Sequence, residues 1–112
     1  MNSIRQNKVS RLIQKELADI FQKESRELFR GKLISVTVVR VSKDFSVAKI
    51  YLSIFPSEGA DEMLKLIKQL SPQIRGILGH KIGKQMRIIP ELDFFIDDSL
   101  DYIDKIDQAL KQ

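Results

Sequence analysis

The stretch with the clearest chemical character is residues 63–90, in which every charged side chain is basic. Glu62 and Glu91 bound it, and no acidic residue lies between them. Its cations and the only histidine of the chain are Lys65, Lys68, Arg75, His80, Lys81, Lys84 and Arg87. A folded domain usually mixes both signs on its surface, so this run indicates an anionic partner. For a small basic protein the commonest such partner is a nucleic-acid backbone.

Residue types that catalyse reactions or bind metals are scarce. One histidine and no cysteine cannot build a Cys–His pair or a His-rich metal site, and no Gly-rich phosphate loop follows a strand. Five acids near the C-terminus recur at helical spacing, where they could hold a hard cation but suit a helix cap and first turn better. These acids are Asp97, Asp98, Asp101, Asp104 and Asp107. We therefore expect no enzymatic activity, no cofactor and no bound metal.

Charge is unevenly distributed along the chain. The net charge is +4, yet residues 1–90 hold 17 basic and 8 acidic residues, whereas residues 91–112 hold 2 basic and 7 acidic residues. This asymmetry predicts a basic binding surface and a separate acidic end. A dipolar surface without a partner is the alternative.

Size and composition predict a single domain over residues 1–112. Hydrophobic residues make up 43% and charged residues 30% of the chain, which is typical of a globular domain with one core. No apolar run approaches the roughly 20 residues needed to cross a bilayer, and the N-terminus lacks the apolar segment of a secretory signal. We expect a cytoplasmic protein, monomeric and without a membrane partner.

The N-terminal third predicts a long amphipathic helix. Apolar residues recur at three- and four-residue steps from Ser3 to about Leu28, with Ser3 as the N-cap and Gly31 as the helix stop. A basic stripe lies beside the apolar one, and it is either a solvated helix face or an RNA contact. The stripe consists of Arg5, Lys8, Arg11 and Lys15.

Two strands follow as an antiparallel hairpin. Residues 33–42 and 46–55 are rich in Val and Ile, and Lys43 and Asp44 can turn the chain between them. In the second strand one face is apolar and the other half-polar. In the first strand the alternation changes phase after Val38, which a bulge or a twisted strand end explains.

The second half predicts two helices, a strand and a closing helix. Ser57 or Asp61 can cap the first of these helices, and the Ser71-Pro72 pair starts the next because proline suits a first helical turn. The last strand covers 86–96, and Pro90 within it argues for a sheet edge. An acidic helix then occupies 98–112. The crossover through two helices predicts a parallel pairing of the second and third strands and an α+β fold with helices on one face.

Two local patterns invite a nucleic-acid interpretation. Residues 76–79, Gly-Ile-Leu-Gly, match the glycine loop of KH domains, but the two middle residues are apolar at core spacing, which favours an ordinary helix. Phe94, Phe95 and Tyr51 could stack on bases. Strand alternation buries Phe94, and for Phe95 and Tyr51 both stacking and partial burial remain open.

Signatures at three places resemble one family. Residues 41–45, Val-Ser-Lys-Asp-Phe, precede residues 48–52, Ala-Lys-Ile-Tyr-Leu, and residues 87–92 read Arg-Ile-Ile-Pro-Glu-Leu before Phe94 and Asp97. The N-terminal pattern that agrees with them consists of Arg5, Val9, Leu12, Ile13, Glu16, Leu17 and Ile20. Together they resemble bacterial ribosome-binding factor A over nearly the whole chain and in the same order.

This resemblance implies a type II KH-like RNA-binding domain, a fold of helix, two strands, two helices, strand and helix. It implies no enzymatic activity. The partners it implies are the free small (30S) ribosomal subunit in its precursor form and 16S rRNA, and the role is late maturation, including 5′-end processing by other enzymes, especially in the cold. One departure is that the family's Ala-x-Gly kink between the two helices corresponds here to Leu70-Ser71-Pro72, which lacks the close backbone approach that glycine permits.

Two function classes follow. The first is an RNA-binding assembly factor whose cations contact phosphate, so that binding depends steeply on salt. Its candidate RNA-binding residues are Arg75, His80, Lys81, Lys84, Arg87, Lys43, Lys49, Arg5, Lys8 and Arg11. The second is a protein-interaction module of another ribosome-associated or assembly complex, which would use the acidic helix or the sheet edge.

Overall fold

The computed structural model describes residues 4–97, which form three helices and a three-stranded sheet. In chain order the elements are α1 (Ile4–Lys23), β1 (Leu33–Val41), β2 (Val47–Phe55), α2 (Ala60–Gln69), α3 (Ser71–Ile82) and β3 (Glu91–Ile96). The strand order is β1-β2-β3, with β1 antiparallel and β3 parallel to β2. The α+β class, the mixed sheet and the parallel crossover are thereby confirmed. The predicted Ser3 cap and the acidic helix over 98–112 lie outside the described residues.

Helix α1 ends at Lys23, five residues before the predicted end at Leu28. The reason is the position of Phe29, which is fully buried with its ring centroid 5.1 Å from that of Phe21. In a continuous helix, eight residues advance the chain by about 12 Å, so the two rings could not meet. Turns over residues 24–31 bring Phe29 back under the helix end, and Gly31 (φ 76°) completes these turns rather than stopping the helix.

Strand β1 contains the predicted irregularity, and it is a bulge. Val36 pairs with Leu52 and Val38 pairs with Tyr51, so Thr37 has no cross-strand partner. The buried positions consequently shift phase, and Val38 turns to the outer face. Gln14 from α1 stabilises the bulge, since its Nε2 donates to the carbonyl oxygens of Val36 (3.0 Å) and Thr37 (3.3 Å).

Helices α2 and α3 start differently. Neither Ser57 nor Asp61 caps α2 with its side chain, which corrects that prediction; the N-cap is Gly59 in a left-handed conformation (φ 76°). Helix α3 begins at Ser71 with Pro72 in its first turn, as predicted. The Gly-Ile-Leu-Gly pattern at 76–79 lies inside α3, so it is helix and not a loop.

Strand β3 begins at Glu91 rather than at the predicted Met86. Pro90 has no N–H to give to a ladder, and the carbonyls of Ile89 and Pro90 accept hydrogen bonds from Arg75 on α3. Residues 86–90 therefore belong to a segment held against α3. Within residues 4–97, β3 pairs only with β2 and is an edge strand, as predicted.

All three helices bury their apolar stripes against one face of the sheet. Alternate residues of β2 face this core, namely Ala48, Ile50, Leu52 and Ile54. The other face of the sheet is not covered by any element within residues 4–97. No helix in that same range combines the length and the hydropathy of a membrane span.

Candidate nucleic-acid interface

The two flanks of α3 carry cations with different surroundings. Arg75 and Lys81 are six residues apart, which at 3.6 residues per turn places them about 120° apart around the helix axis. Arg75 faces the 86–90 segment, and Lys81 faces α1. Two of the predicted phosphate contacts therefore do not share one side of the helix.

Lys81 is engaged by acids of α1. Its Nζ lies 2.8 Å from Oδ2 of Asp19 and 3.8 Å from Oε2 of Glu16, and Asp19 also pairs with Lys23 at 3.0 Å. The hydrogen bond to Asp19 raises the pKa of Lys81, and the hydrogen bonds from Lys81 and Lys23 lower the pKa of Asp19. Both groups stay charged over the physiological range, so Lys81 has a local counter-ion and attracts phosphate less than an unpaired cation.

Arg75 holds the segment that precedes β3. Its Nε donates to the carbonyl oxygens of Ile89 (3.2 Å) and Pro90 (3.1 Å), and Nη2 donates to Ile89 (2.6 Å). The planar guanidinium suits such a fork of acceptors. The first role of Arg75 is therefore to position residues 86–90, including Arg87, beside α3.

A shallow groove of about 550 Å³ runs between α3 and this segment, and we call it the α3 groove. It is lined by Pro72, Arg75, Gly76, Gly79, Arg87, Ile88 and Ile89. A Cβ at Gly76 would meet nothing within 4 Å, so the helix backbone is open to a ligand there. Ile88 is 62% exposed and adds an apolar rim. The groove thus combines accessible backbone, apolar surface and cations.

His80 and Lys84 are exposed near the C-terminal end of α3. Neither side chain makes a hydrogen bond or ion pair with another residue in the 4–97 range. Both can reach an anion without first breaking an internal contact, as can Arg87, whose side chain is likewise unengaged among those residues.

A second group of candidates lies where α1 begins beside the β1–β2 turn. The guanidinium of Arg5 lies 5.4 Å from the ring centroid of Phe45, within the range of a cation–π contact. Gln6 fixes the helix to β1 by donating to the carbonyl of Val41 at 3.0 Å. Lys8 and Arg11 continue along the exposed side of α1.

The β1–β2 turn that carries Lys43 is rigid. Asp44 Oδ1 accepts hydrogen bonds from the hydroxyls of Ser42 (2.8 Å) and Ser46 (2.7 Å) and from the Ser46 N–H (3.1 Å). These bonds lower the pKa of Asp44 to about 2. Lys43 is exposed at the tip of this turn, so its ammonium projects from a fixed base.

Lys49 lies apart from both groups, on the face of the sheet that no helix of the described part of the chain covers. It is directly opposite Arg40 on β1 and Asp93 on β3. The next row on that face contains Tyr51 and Phe95, stacked with centroids 5.3 Å apart and ring planes at 25°. The ten predicted residues therefore occupy three surfaces: the α3 side, the α1 start with the turn, and the outer sheet face.

Comparison with known proteins gives the family. The sequence model described as ribosome-binding factor A matches residues 5–110. The chain belongs to the ribosome-binding factor A family. Curated relatives of that name include the protein of Cytophaga hutchinsonii, 54% identical over 112 residues that cover 100% of this chain and 84% of the relative. The Flavobacterium johnsoniae relative is 50% identical over 111 residues, which cover 98% and 85%.

Solved structures of ribosome-binding factor A have the same fold. The crystal structure from Thermus thermophilus superimposes with a TM-score of 0.67 at 27% identity, covering 81% of this chain and 94% of that one. A homology model of the Thermus protein, fitted into a cryo-EM map of its complex with the 30S subunit, gives a TM-score of 0.60 at 30% identity, covering 78% and 89%. The KH-like fold implied by the resemblance is confirmed.

The joint between α2 and α3 shows how this family member bends without a glycine. Leu70 alone separates the helices, with φ −87° and ψ 2°, in the bridge region that any residue can adopt. Helix α3 then begins at Ser71, whose hydroxyl donates to the carbonyl oxygen of Leu92 at 3.4 Å, and Pro72 lies in its first turn. The joint therefore contains no glycine, and Gly76, where a Cβ would meet nothing within 4 Å, lies about one turn after Pro72.

Sequence reasoning missed two features of this surface. The first is the α3 groove, because Gly76 and Gly79 were interpreted as ordinary helix and the backbone surface that two such glycines leave on a helix was not considered; their spacing of three within a helix was the signal that could have found it. The second is Arg40, whose pairing with Lys49 depends on the bulge at Thr37. Once the bulge is placed, that pairing can be read from the strand register.

Proposed function

We propose that this chain is a ribosome assembly factor that binds the precursor of the small ribosomal subunit through 16S rRNA. Family membership and the Thermus relative's complex with the 30S subunit support the proposal. The protein would act in the cytoplasm as a monomer, assisting late maturation, including 5′-end processing by other enzymes, most strongly in the cold. It is proposed as a binding protein, with no reaction of its own.

The observation that carries the proposal is the α3 groove. Gly76 has no side chain to keep a ligand away from the helix, and Arg87 is exposed beside it. A phosphodiester backbone can therefore approach α3 closely and meet a cation at the same place. Lys84 extends the cationic surface just beyond the end of α3, and His80 adds an exposed hydrogen-bonding side chain on the same helix. The exposed Ile88 offers an apolar contact to a ribose or a base edge.

This geometry ranks the predicted cations. Arg87 and Lys84 have no internal counter-ion among the described residues, whereas Lys81 is paired with Asp19. Removing one cation that binds a phosphate lowers the slope of log K against log salt by about 0.7 to 0.9. Neutralising Arg87 should therefore reduce both affinity and salt slope, and neutralising Lys81 should change either much less.

The test is sedimentation of the purified protein with immature small subunits at several salt concentrations. Arg87→Met with Lys84→Met should weaken binding about tenfold or more, since each substitution removes a charge-assisted interaction. Lys81→Met with Arg26→Met is the matched control, because it also removes two charges, one from an internally paired cation and one from an exposed cation outside the groove. Equal losses in both double variants would mean that only net charge matters, and the groove would be rejected.

The maturation role needs a separate test in cells. A strain lacking its own family member would be complemented with wild type or with the double variant at Lys84 and Arg87, and grown in the cold. Primer extension on 16S rRNA should detect unprocessed 5′ ends with the variant and mature ends with wild type. If the variant fails to bind subunits yet restores mature ends, binding through the groove is not the route to processing.

A further inference from the structure

The outer face of the sheet carries a second cluster whose composition differs from a solvated surface. Val38, Tyr51 and Phe95 occupy one row across the three strands, and Arg40 and Lys49 occupy the next row on β1 and β2. Val38 is 37% exposed. With Asp97 at the end of β3, we call these six residues the sheet platform.

The two cations of the sheet platform repel each other when no ligand is bound. Arg40 and Lys49 are directly opposite each other on antiparallel strands, and like charges at such positions are destabilising. Asp93 is the cross-strand neighbour of Lys49, but no ion pair forms between them within residues 4–97. An anion bound between Arg40 and Lys49 would relieve the repulsion.

The aromatic row offers a surface on which a nucleic-acid base can stack. Tyr51 and Phe95 are partly exposed and stacked on each other, which gives a rigid apolar surface. A concavity of about 460 Å³ lies beside Tyr51 and is lined also by Val38, Arg40, Lys49 and Asp97. That volume is within the range of small-ligand sites, about 300 to 1,000 Å³. Stacking of unpaired bases on sheet aromatics next to cations is an established mode of single-stranded RNA recognition.

Asp97 gives the concavity a preference among bases. Its Oδ2 accepts a hydrogen bond from the Thr37 hydroxyl at the bulge, which fixes the carboxylate at the rim. A carboxylate offers about four acceptor positions and no donor. It can therefore accept from the exocyclic amino group of cytosine, whereas uracil has a carbonyl oxygen at that position and only its ring N3–H as a donor.

We propose that the sheet platform binds an unpaired RNA nucleotide with an amino-bearing base, of which cytosine is the simplest case. The base packs on Tyr51 beside Val38, its amino group donates to Asp97, and the adjoining phosphate lies between Arg40 and Lys49. This inference rests on the proposed function, because it assumes that the partner contains RNA. It adds a contact on the face of the sheet opposite the helices, separate from the α3 groove.

The experiment compares two matched probes, fluorescein-labelled octamers of cytidine and of uridine, binding to the full chain. We expect the cytidine octamer to bind at least about fivefold more tightly, as a hydrogen bond to a charged group would give. Asp97→Asn should remove this preference, because an amide offers both a donor and an acceptor. The amide oxygen can still accept a hydrogen bond from the Thr37 hydroxyl. Arg40→Gln with Lys49→Gln should weaken both probes alike.

The stacking contact has its own readout. The chain has two tyrosines, Tyr51 and Tyr102, so ring-labelled tyrosine gives two sets of NMR signals, assigned with Tyr51→Phe. On adding the cytidine octamer, the Tyr51 ring signals should shift upfield. Tyr51→Val should weaken binding on the order of tenfold, and Tyr51→Phe less than about twofold. The ring shift is measured on wild type, so the test survives if Tyr51→Val does not fold.

Unmoved Tyr51 signals, or equal binding of the two octamers, would overturn the proposal. A loss of subunit binding by the Tyr51 variants without any octamer binding would mean that the platform contacts a protein, and would overturn it as well. Failure of the proposed function is distinguishable, since wild type would then not sediment with small subunits whatever the octamers do. Arg26→Met, which removes an exposed cation outside both surfaces, is the control that should leave the preference for cytidine unchanged.

Discussion

Gly76 is a position where stability and function should change in opposite directions. It lies in the middle of α3, and a Cβ built there has open space around it within 4 Å. Alanine in a helix interior is more favourable than glycine by about 1 kcal/mol. At roughly 2.1 cal/mol/K of unfolding entropy per residue, a chain of 112 residues should gain about 4 °C in melting temperature. Gly76→Ala should therefore stabilise the protein.

The same methyl group enters the α3 groove, where we propose that an RNA backbone lies. Gly76→Ala should weaken binding to immature small subunits by a few fold, and Gly76→Gln should weaken it further without unfolding the helix. Thermal unfolding by circular dichroism gives the first quantity, and sedimentation gives the second. A natural glycine that costs stability and is needed for binding is the expected pattern at a functional site.

Gly83 is the control position, because a methyl group there would meet other atoms of the protein. A Cβ there would be 2.6 Å from the carbonyl oxygen of Gly79, closer than real Cβ contacts. Gly83→Ala should therefore destabilise the protein by about 1 to 3 kcal/mol, as overpacking does. If Gly76→Ala lowered the melting temperature, or left subunit binding intact together with Gly76→Gln, the account of the groove would be wrong.

Three further predictions concern single side chains. Ser10 has a buried hydroxyl without a hydrogen-bond partner in the described part of the chain, so Ser10→Ala should stabilise the protein by about 1 kcal/mol in urea unfolding; a loss would show that the hydroxyl is satisfied. The pKa of Asp44 is about 2 when folded against an ordinary 3.8, so its contribution is complete above about pH 4 and lost as the pH falls through about 2. Asp44→Asn should flatten stability against pH in that window, and an unchanged slope would contradict the turn hydrogen bonds. Arg75→Lys keeps the charge but not the fork, so amide hydrogen exchange of residues 86–89 should accelerate and stability should fall by about 1 kcal/mol; unchanged exchange would show that the fork does not hold the segment.

The order of elements could be predicted because each rests on local signals. Alternation in β2 and the proline at the start of α3 each act within a few residues, and the parallel crossover follows from the order of elements; all three predictions are confirmed. Element ends were less predictable. The end of α1 depends on Phe29 meeting Phe21 in the core, and the start of β3 depends on Arg75 taking the carbonyls that a ladder would use. Both causes are side-chain contacts that no local sequence pattern predicts.

For the candidate site, too, some features could be predicted from residue type and others required the fold. Composition could identify the basic run, because charge is a property of residue type. It could not tell that Lys81 meets Asp19, 62 positions earlier in the chain, or that Lys49 lies on the opposite face from α3. Whether a cation is free to meet phosphate depends on its neighbours in space, so the ten candidate residues required the fold before they could be ranked.

The two layers of the fold limit how a single rRNA segment could contact the protein. Helix α3 buries Ile74, Leu78 and Ile82 against the inner face of the sheet, so the α3 groove belongs to the helical layer and the sheet platform to the surface behind it. A single straight strand cannot contact both, because the sheet lies between them. If both surfaces are used, the RNA must either fold around the domain or present two separate segments. Such recognition would read the arrangement of the rRNA more than its sequence, in keeping with the role in late subunit maturation that we propose for this chain.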